Sequence, residues 1–515
     1  MANKNKLSFY RTLLVAAFVL AVSIPSFAQE TETGSEDFAS SFFDDEPKKK
    51  VRAPEEGEDM GEYALSSLDS MNVFRTNFGI TQVGDQKFFG LRLQPEIALG
   101  KLGFGLDIPV QFNMEDGSFR TDEFKDGTGV LRMVRYARYG VKRRDPVYLR
   151  AGDLTGVYLG YGSLLNNYTN SVSFDKRKIG LNYDIKIGKL AGIEGMYSDL
   201  NLSSFNLMGI RPYVRPFAKM PIPVVRSLEI GGTYMLDKDN TQISSTVDSM
   251  QVTYGNAFIK DGMKAWGADL GVTFLKIPFI TAMGSIQYSK LLKNESDSLA
   301  NYFGSLPSED IIGTPLEDGY QSGTGLSIGV NAKVRFIANI FSLDIGVDRL
   351  WYSDHYLPQF FDAVYEMNKD AKVQQLGFAK SMKGIYGNMT FNLLDKVRIG
   401  GSLLYPDEIS EENPATVRVN AEVVNLFEKL ILKGSYIKGN LTSLDDALVL
   451  DDRSLATVRA AYRLYKVLVV GVDYHWTFAK VADGSYQLTD HVTPYFGLNI
   501  PLNFGGKKSV PEEKE

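Results

Sequence analysis

The residues able to do acid–base chemistry are few, because the chain contains 3 histidines and no cysteine. His475 follows Asp473 by two residues, which predicts that both side chains lie on the same lumenal face, whereas His355 and His491 each come directly after an aspartate. A hydrolase needs a histidine set against a serine or a pair of carboxylates, and the local sequence offers no such set. With no paired histidine spacing, a zinc site has no support either. We therefore expect no catalytic residue, no metal site and no cofactor.

A second possible chemistry is the recognition of anions by guanidinium groups. Arg211 and Arg215 are four residues apart, as are Arg459 and Arg463. Because a guanidinium group binds carboxylates and phosphates, a ladder of these four arginines could attract anionic solutes. The alternative is that each arginine pairs with a carboxylate on a neighbouring strand and stiffens the wall of a sheet.

A third candidate site is the stretch from Leu154 to Phe174, which contains LGYGSLLNNYTN. Its tyrosines and asparagines offer stacking faces and amides to a sugar-like solute; they are Tyr158, Tyr161, Asn166, Asn167 and Tyr168. Its glycines form no phosphate-binding loop, because no helix follows them. The stretch is long and rather apolar for a loop. Two interpretations stay open: it folds inward as a constriction, or it packs outward on its neighbours.

The elements that must position these residues are predicted by a period-two alternation. Between Arg177 and Ile187, apolar and polar residues alternate without interruption, and only an extended strand places such residues on opposite faces. A sheet of such strands borders two different environments. In a soluble sandwich the apolar face meets a second sheet, whereas in an outer membrane it meets lipid and the polar face lines a lumen.

The same alternation predicts twenty strands from Met71 onward. We place them near residues 72–81, 87–100, 102–113, 130–143, 146–153, 177–188, 190–199, 205–217, 226–237, 264–276, 278–291, 322–337, 339–353, 382–394, 396–406, 414–427, 429–439, 454–465, 467–479 and 491–504. In the fourth of these strands, Arg132, Arg135 and Arg138 cannot share a face without a bulge. The connections alternate between short turns and long loops, which is typical of transmembrane barrels and has no reason in a sandwich.

Targeting signals divide the rest of the chain. Residues 1–28 have a basic start and an apolar run too short to cross a bilayer as a helix, which predicts a cleaved signal peptide. Residues 29–70 are acidic and show no period, so we expect a mostly disordered periplasmic extension. The barrel then spans 71–504, and 505–515 form a polar tail. The formal net charge of -6 gives a nucleic-acid partner no electrostatic support.

The last strand, 492–504, alternates and ends on Phe504, and it resembles the terminal strand that the outer-membrane assembly machinery recognises. Taken together, residues 29–504 resemble a porin-like outer-membrane β-barrel of Gram-negative bacteria. The resemblance rests on pattern, and it carries over no functional residue. It implies an all-β, single antiparallel barrel in the outer membrane, in contact with lipid and lipopolysaccharide. Its implied partners are the barrel assembly machinery and a small hydrophilic solute.

Three functions compete on this basis. The first is a channel for passive diffusion of small hydrophilic solutes, with a lumen lined by mixed charges. Active uptake through a plugged barrel is disfavoured, because the chain before the first strand is too short for a plug domain. The second is a non-conducting binding or assembly scaffold that acts through its long loops. The third is a barrel hydrolase, for which the chain offers no evident catalytic set.

Overall fold

The computed structural model is built almost entirely of β-strands. It describes residues 73–83, 86–99, 101–121, 133–143, 145–170, 178–200, 207–237, 263–292, 322–336, 340–362, 365, 366, 369, 372, 376, 379–394, 396–410, 413–426, 429–447, 454–464, 468–480 and 486–501. The predicted signal peptide, the acidic extension and the polar tail lie outside these residues. In the part of the chain that is described, no helix has the length and apolar character needed to cross a membrane.

The strands follow the predicted ones closely, and most boundaries agree within three residues. They are β1 (Val73–Val83), β2 (Gln86–Leu99), β3 (Leu102–Leu106), β4 (Ile108–Asn113), β5 (Val134–Tyr139), β6 (Val147–Gly152), β7 (Gly180–Ile187), β8 (Ala191–Tyr197), β9 (Met208–Val214), β10 (Glu229–Asp237), β11 (Met263–Ile277), β12 (Ile280–Leu292), β13 (Gly323–Phe336), β14 (Phe341–Tyr352), β15 (Met382–Leu393), β16 (Val397–Pro406), β17 (Ala415–Leu426), β18 (Leu430–Leu441), β19 (Ser454–Arg463), β20 (Leu468–Lys480) and β21 (Tyr486–Pro501). A helix of four residues, Pro223–Arg226, lies between β9 and β10.

The sheet closes on itself, because β1 pairs with both β2 and β21. All pairings between described strands are antiparallel, and they join neighbours in the sequence apart from the closing pair β1–β21 and the pairs β2–β4 and β3–β5. β3 and β4 both pair with β2 and continue one strand across Asp107, so the 21 described strands occupy twenty positions around the barrel. The predicted antiparallel up-and-down barrel is thereby confirmed.

The two faces of the wall have the predicted polarity. Phe104 and Phe112 are exposed on the outside, while Asp107 is only 2% exposed on the inside. On β13, Ile328 and Val330 are exposed on the outside. Ser327, which precedes Ile328, is buried on the inside. Because apolar side chains cover the outer face in this way, the barrel matches a hydrocarbon environment rather than water.

The arginine-rich fourth predicted strand contains the expected bulge. Gly105 pairs with Tyr136 and Leu106 pairs with Val134, so Arg135 is the additional residue on β5. The carbonyl of Arg135 instead accepts a hydrogen bond of 2.7 Å from the backbone N–H of Asp153. Asp153 is the first residue after β6, so this hydrogen bond to the bulge directs the following connection inward. Residues 122–132, which include Arg132, are not among the described residues.

The two ends of the barrel differ in their connections. At one end, which we call the short-turn end, β11 and β12 are joined by two residues and β7 and β8 by three. The other end, the long-loop end, carries the connections 238–262, 293–322 and 353–381. The alternation is not strict, since two residues join β1 to β2 at the long-loop end. Val73 pairs with Pro501, so the described barrel begins and ends at the short-turn end.

Candidate functional site

The connection after β6 folds into the barrel, and we call its described residues 153–170 the first inner loop. It forms an irregular hairpin in which Val157 and Tyr168 exchange backbone hydrogen bonds of 3.0 and 2.8 Å. Asn170 fixes its base: the side-chain oxygen accepts from Leu154 N at 2.9 Å, and the amide donates to Ser198 O at 2.9 Å. Leu154, Leu165 and Tyr168 have no exposed surface. Of the two interpretations, the inward one is correct for residues 154–170.

The tip of the first inner loop is clamped by side chains from a short turn. Lys142 Nζ donates to the carbonyl of Tyr158 at 2.7 Å, and Arg143 Nη2 donates to the carbonyl of Gly160 at 3.1 Å. The N–H of Gly160 donates to Glu194 at 3.0 Å. Gly160 has a φ of +59°, and a Cβ there would lie 2.9 Å from Arg211 Nε. A residue without a side chain is therefore required at this contact.

Arg211 lies beneath the tip and is completely buried among three carboxylates. Its guanidinium group donates to Glu194 at 2.8 Å, to Glu229 at 2.9 Å and to Asp269 at 2.9 and 2.5 Å. Arg215 adds a second cation at 2.8 Å from Glu229. These residues come from β8 to β11, so the cluster ties four neighbouring strands to the loop tip. We call this group of residues the Arg211 cluster.

The described residues of a second connection, 353–381, also fold inward, and we call them the second inner loop. Gln359 N donates to Ser163 O at 3.2 Å and Phe361 N donates to Leu164 O at 3.0 Å, so the two inner loops hydrogen bond along their backbones. Their apolar side chains form one buried cluster with residues of the wall. This cluster consists of Leu154, Val157, Leu159, Leu164, Leu165, Tyr168, Met196, Leu207, Met235, Met263, Ala265, Leu291, Tyr356, Phe360, Phe361, Tyr365 and Leu376.

Ionic contacts hold the second inner loop on both sides of the lumen. Lys369 lies 3.0 Å from Asp237 of β10, and the hydroxyl of Tyr365 donates to the same carboxylate at 2.8 Å. Asp362 lies 3.4 Å from Arg418 of β17. Since β10 and β17 are seven strands apart in the ring, the loop extends across the interior.

Glu366 joins the two inner loops at the long-loop end. It accepts a hydrogen bond of 2.5 Å from the hydroxyl of Tyr168 and one of 2.6 Å from Lys178. Burial acts to raise the pKa of Glu366, but Lys369 and Lys178 outweigh it and hold the pKa below its ordinary value. Burial, assisted by Glu366, raises the pKa of Tyr168 well above its usual range. The contact therefore joins a carboxylate to a neutral phenol.

The wall from β13 to β19 is different, and we call it the wet wall. Its ion pairs are more exposed than the Arg211 cluster: Lys333 and Asp344 lie 3.3 Å apart with side chains 24% and 25% exposed, and Lys433, 30% exposed, lies 2.6 Å from Glu422, which is 7% exposed. Between the charges runs a row of small neutral polar residues. In register across the strands, the row contains Thr390, Gly400, Asn420, Ser435 and Thr457.

The structure separates the predicted arginine ladder. Arg211 lies on β9 and Arg215 directly follows that strand, and both are paired with carboxylates, whereas Arg459 and Arg463 lie on β19, ten positions away around the ring. The four do not form one ladder, because the pairs lie on opposite sides of the barrel. At Arg211 and Arg215 the alternative interpretation, a lattice of cross-strand ion pairs, is the correct one.

The residues predicted to offer faces and amides to a sugar are mostly covered. Tyr168 and Asn166 are buried, Tyr158 lies under Lys142 with its ring centre 4.1 Å from Nζ, and the ring of Tyr161 lies 5.7 Å from Arg211 Cζ. Asn167 is half-buried with a φ of +53°. In this structure the loop's tyrosines hold the loop against the wall. The possibility that they also contact a solute stays a prediction.

Two of the three histidines lie on paired strands and the third lies in the second inner loop. Asp473 pairs in register with Arg459 and with Thr493, and His475 pairs with Thr457 and with His491, although the side chains of Asp473 and His475 are not described. His355 is buried, with Nδ1 2.8 Å from the carbonyl of Leu376 in the second inner loop.

The sequence analysis missed the second inner loop and the turn residues Lys142 and Arg143. One signal for the loop was present, since 353–381 contains Tyr356, Phe360, Phe361 and Tyr365 in a connection that would otherwise face water. Large apolar residues clustered in a long loop indicate burial. For the two turn residues the sequence contains no comparable signal, because their partners lie in distant segments.

Comparisons with known proteins give structural similarities only. No family model and no curated protein matches the chain. Among solved structures, Wzi, an outer membrane protein involved in group 1 capsule assembly in Escherichia coli and titled a carbohydrate-binding β-barrel, is 14% identical, with 85% of this chain and 86% of that chain covered at a TM-score of 0.32. OccK2 of Pseudomonas aeruginosa is 10% identical, with 83% and 97% covered at 0.29. The ferric enterobactin receptor PfeA of the same species is 8% identical, with 84% and 80% covered at 0.32.

The assignment of the chain rests on its own geometry. The sheet closes on itself, its outer face is apolar, its inner face is polar, and described connections fold into the lumen. These features make the chain a porin-like β-barrel of the outer-membrane type.

Proposed function

We propose that this protein is an outer-membrane channel for small hydrophilic solutes, in which two inner loops confine passage to the side of the wet wall. The supporting observation is the unequal exposure of charged residues inside the barrel. Arg211 and its three carboxylates have almost no exposed surface, whereas Lys333, Asp344 and Lys433 keep roughly a quarter of theirs. Water therefore reaches the inner face of the wet wall.

Passage along this wall would favour small solutes without strong charge preference. Its ion pairs carry both signs, and the neutral row between them offers hydroxyls and amides that both donate and accept hydrogen bonds. A mixed lining of this kind sets only a weak preference between cations and anions. Small polar molecules that can exchange water for these groups are the expected cargo.

Conductance in planar lipid bilayers tests the proposal directly. The purified barrel is expected to produce steady openings in potassium chloride, with little selectivity between potassium and chloride. Liposome swelling with neutral solutes of increasing mass should then show a sharp size limit. A folded barrel that produces no openings and no swelling would contradict the channel function.

A second candidate is a non-conducting binding barrel, and one observation favours it. The second inner loop contacts β10 through Lys369 and β17 through Asp362, so it crosses the lumen. The two candidates predict different conductance when this loop is displaced. If the wild-type barrel is silent but a variant with a displaced loop conducts, the loop closes the lumen and the binding function is the better account.

A further inference from the structure

Four basic side chains interrupt the otherwise apolar outer face on one arc of the barrel. They are Lys264, Lys290, Arg349 and Lys383, from β11, β12, β14 and β15. Their outward direction follows from their neighbours: Met263 and Ala265 flank Lys264, Ser289 and Leu291 flank Lys290, and all four flanking residues are buried inside. On β14 and β15, Leu350 and Gly384 are likewise buried inside. We call these four residues the basic arc.

The basic arc lies near the long-loop end of its strands. Lys264 is the second residue of β11, Lys290 is two residues from the end of β12 and Lys383 is the second residue of β15. The β11–β15 ladder is continuous, and with strands about 4.8 Å apart the arc is roughly 20 Å wide. This width is comparable to that of a single large lipid headgroup.

Aromatic residues accompany the basic arc at the same level. Trp266 pairs in register with Lys290, and its ring centre lies 5.4 Å from that of Tyr288, both rings being exposed on the outside. The ring centre of Trp351 lies 5.7 Å from Arg349 Cζ. Exposed tryptophan and tyrosine on a barrel mark the boundary between hydrocarbon and headgroups. The basic arc therefore lies at the headgroup level of the outer leaflet, given that the short-turn end is periplasmic.

Described carboxylates neutralise only part of the positive charge of the basic arc. Arg349 forms a bidentate pair with Asp407 at 2.6 and 2.5 Å. Among the described residues, no carboxylate lies within ion-pair distance of Lys264, Lys290 or Lys383, although the charge of Lys383 also acts on Asp407. A cation at the edge of a hydrocarbon layer needs either water or an anion beside it. Three lysines held on a rigid sheet provide a fixed pattern for a ligand that carries more than one negative charge.

We propose that the basic arc binds the phosphorylated headgroup of an outer-leaflet glycolipid, the lipid A portion of lipopolysaccharide. The lysines would contact its phosphates, while Trp266 and Tyr288 pack on the sugar and the start of its acyl chains. This site lies on the outside of the barrel, so it is independent of conduction through the lumen. Lipid bound there would hold β11–β15 in a fixed orientation to the membrane.

Native mass spectrometry of the detergent-purified barrel tests this site. The probe is diphosphorylated lipid A, compared with monophosphorylated lipid A and with phosphatidylethanolamine. Wild-type protein should retain diphosphorylated lipid A at least five-fold more than either comparison lipid. Equal retention of all three lipids would overturn the proposal without any variant being made.

A triple variant locates the site on the barrel. Lys264→Gln, Lys290→Gln and Lys383→Gln together should lower lipid A retention at least five-fold, whereas Lys→Arg at the same three positions should restore it. The matched control changes Lys189, Lys219 and Lys429 to glutamine, three exposed lysines at the short-turn end, and should stay within two-fold of wild type. If the triple variant fails to fold, Lys383→Gln alone should lower retention about two-fold. Retention equal to wild type in a folded variant would contradict the assignment.

Discussion

The walls on the two sides of the lumen are built from the same residue types but use them differently. The Arg211 cluster places one guanidinium among three carboxylates with almost no surface left to water. On the wet wall, Lys333 with Asp344 and Lys433 with Glu422 form simple pairs that stay partly solvated. The difference follows from what covers each wall: the first inner loop rests on β8 to β11, whereas the described ion pair between the inner loops and the wet wall is the one that Asp362 forms with Arg418.

Burial changes the energetic role of a charge. A buried ion pair must be complete, because removing one partner leaves the other desolvated and unpaired. A partly exposed pair is screened by water and contributes little to stability. The covered wall therefore fixes the position of the inner loops, and the wet wall is free to vary in charge. Changes on the two walls are thus expected to separate stability from selectivity.

The largest effect is expected from Arg211→Met. This change leaves Glu194, Glu229 and Asp269 buried without their central cation, and we expect a loss of about 3–5 kcal/mol in the stability of the barrel. The temperature at which the folded band disappears in heat-modifiability gels should fall markedly. The matched control is Arg459→Met, an inward arginine on the opposite wall that is only half-buried. Equal effects at both positions would show that the two walls do not differ in the way we describe.

A smaller and more local effect is expected at Gly160. An alanine there would place its Cβ 2.9 Å from Arg211 Nε and 3.0 Å from Asp269, so the loop tip must lift away from the cluster. We expect Gly160→Ala to raise single-channel conductance at least two-fold. Gly188→Ala is the control, because Gly188 has a similar φ of +64° with no atom within 4 Å. Both variants lose about 1 kcal/mol to backbone strain. Conductance that rises equally in both would exclude displacement of the loop as the cause.

Acid should release the contact between the inner loops. The pKa of Glu366 is depressed in the folded protein, so its contribution to stability is fully present above the unfolded value of about 4.3 and is lost as the pH falls through the folded value. Protection from hydrogen–deuterium exchange in both inner loops, corrected for the intrinsic pH dependence of exchange, should therefore fall as the pH is lowered from 7 through the folded pKa, while the strands stay protected. In Glu366→Gln this acid-dependent step should be absent and exchange at pH 7 already faster. An unchanged acid step in that variant would assign it to another group.

Strand positions could be predicted from the sequence because the period of two is a local property. The wall of a barrel requires alternation at every position, and this requirement placed the inward face of Arg211, Glu229 and Asp269 correctly. The same reasoning indicated that Arg132, Arg135 and Arg138 could share a face only with a bulge, but it left the register open, and the structure places the bulge at Arg135. Each of these features follows from residues within one strand.

The courses of the inner loops could not be predicted, because they depend on partners far away in the sequence. Glu366 binds Tyr168 and Lys178, although nearly 200 residues separate them in the sequence. Arg143 binds Glu194 from a short turn whose sequence has no unusual feature. Gly160 resembles any loop glycine until the guanidinium beneath it is known. Composition indicated that 154–174 was unusual, but only the assembled wall decides whether such a loop lies inside or outside.

The smallest effect on stability, and the clearest one on selectivity, is expected from Lys433→Met. Lys433 lies 2.6 Å from Glu422 with its side chain 30% exposed, so solvent screens the pair and its loss should cost at most about 1 kcal/mol. The change nevertheless removes one of the positive charges beside Glu422, where Arg398 of the neighbouring strand remains, and so makes the wet wall more negative. The reversal potential in a potassium chloride gradient should therefore shift toward cation selectivity, while Lys433→Arg should keep the wild-type value. A loss of stability as large as that of Arg211→Met would mean that this pair is buried, and the two walls would then be equivalent.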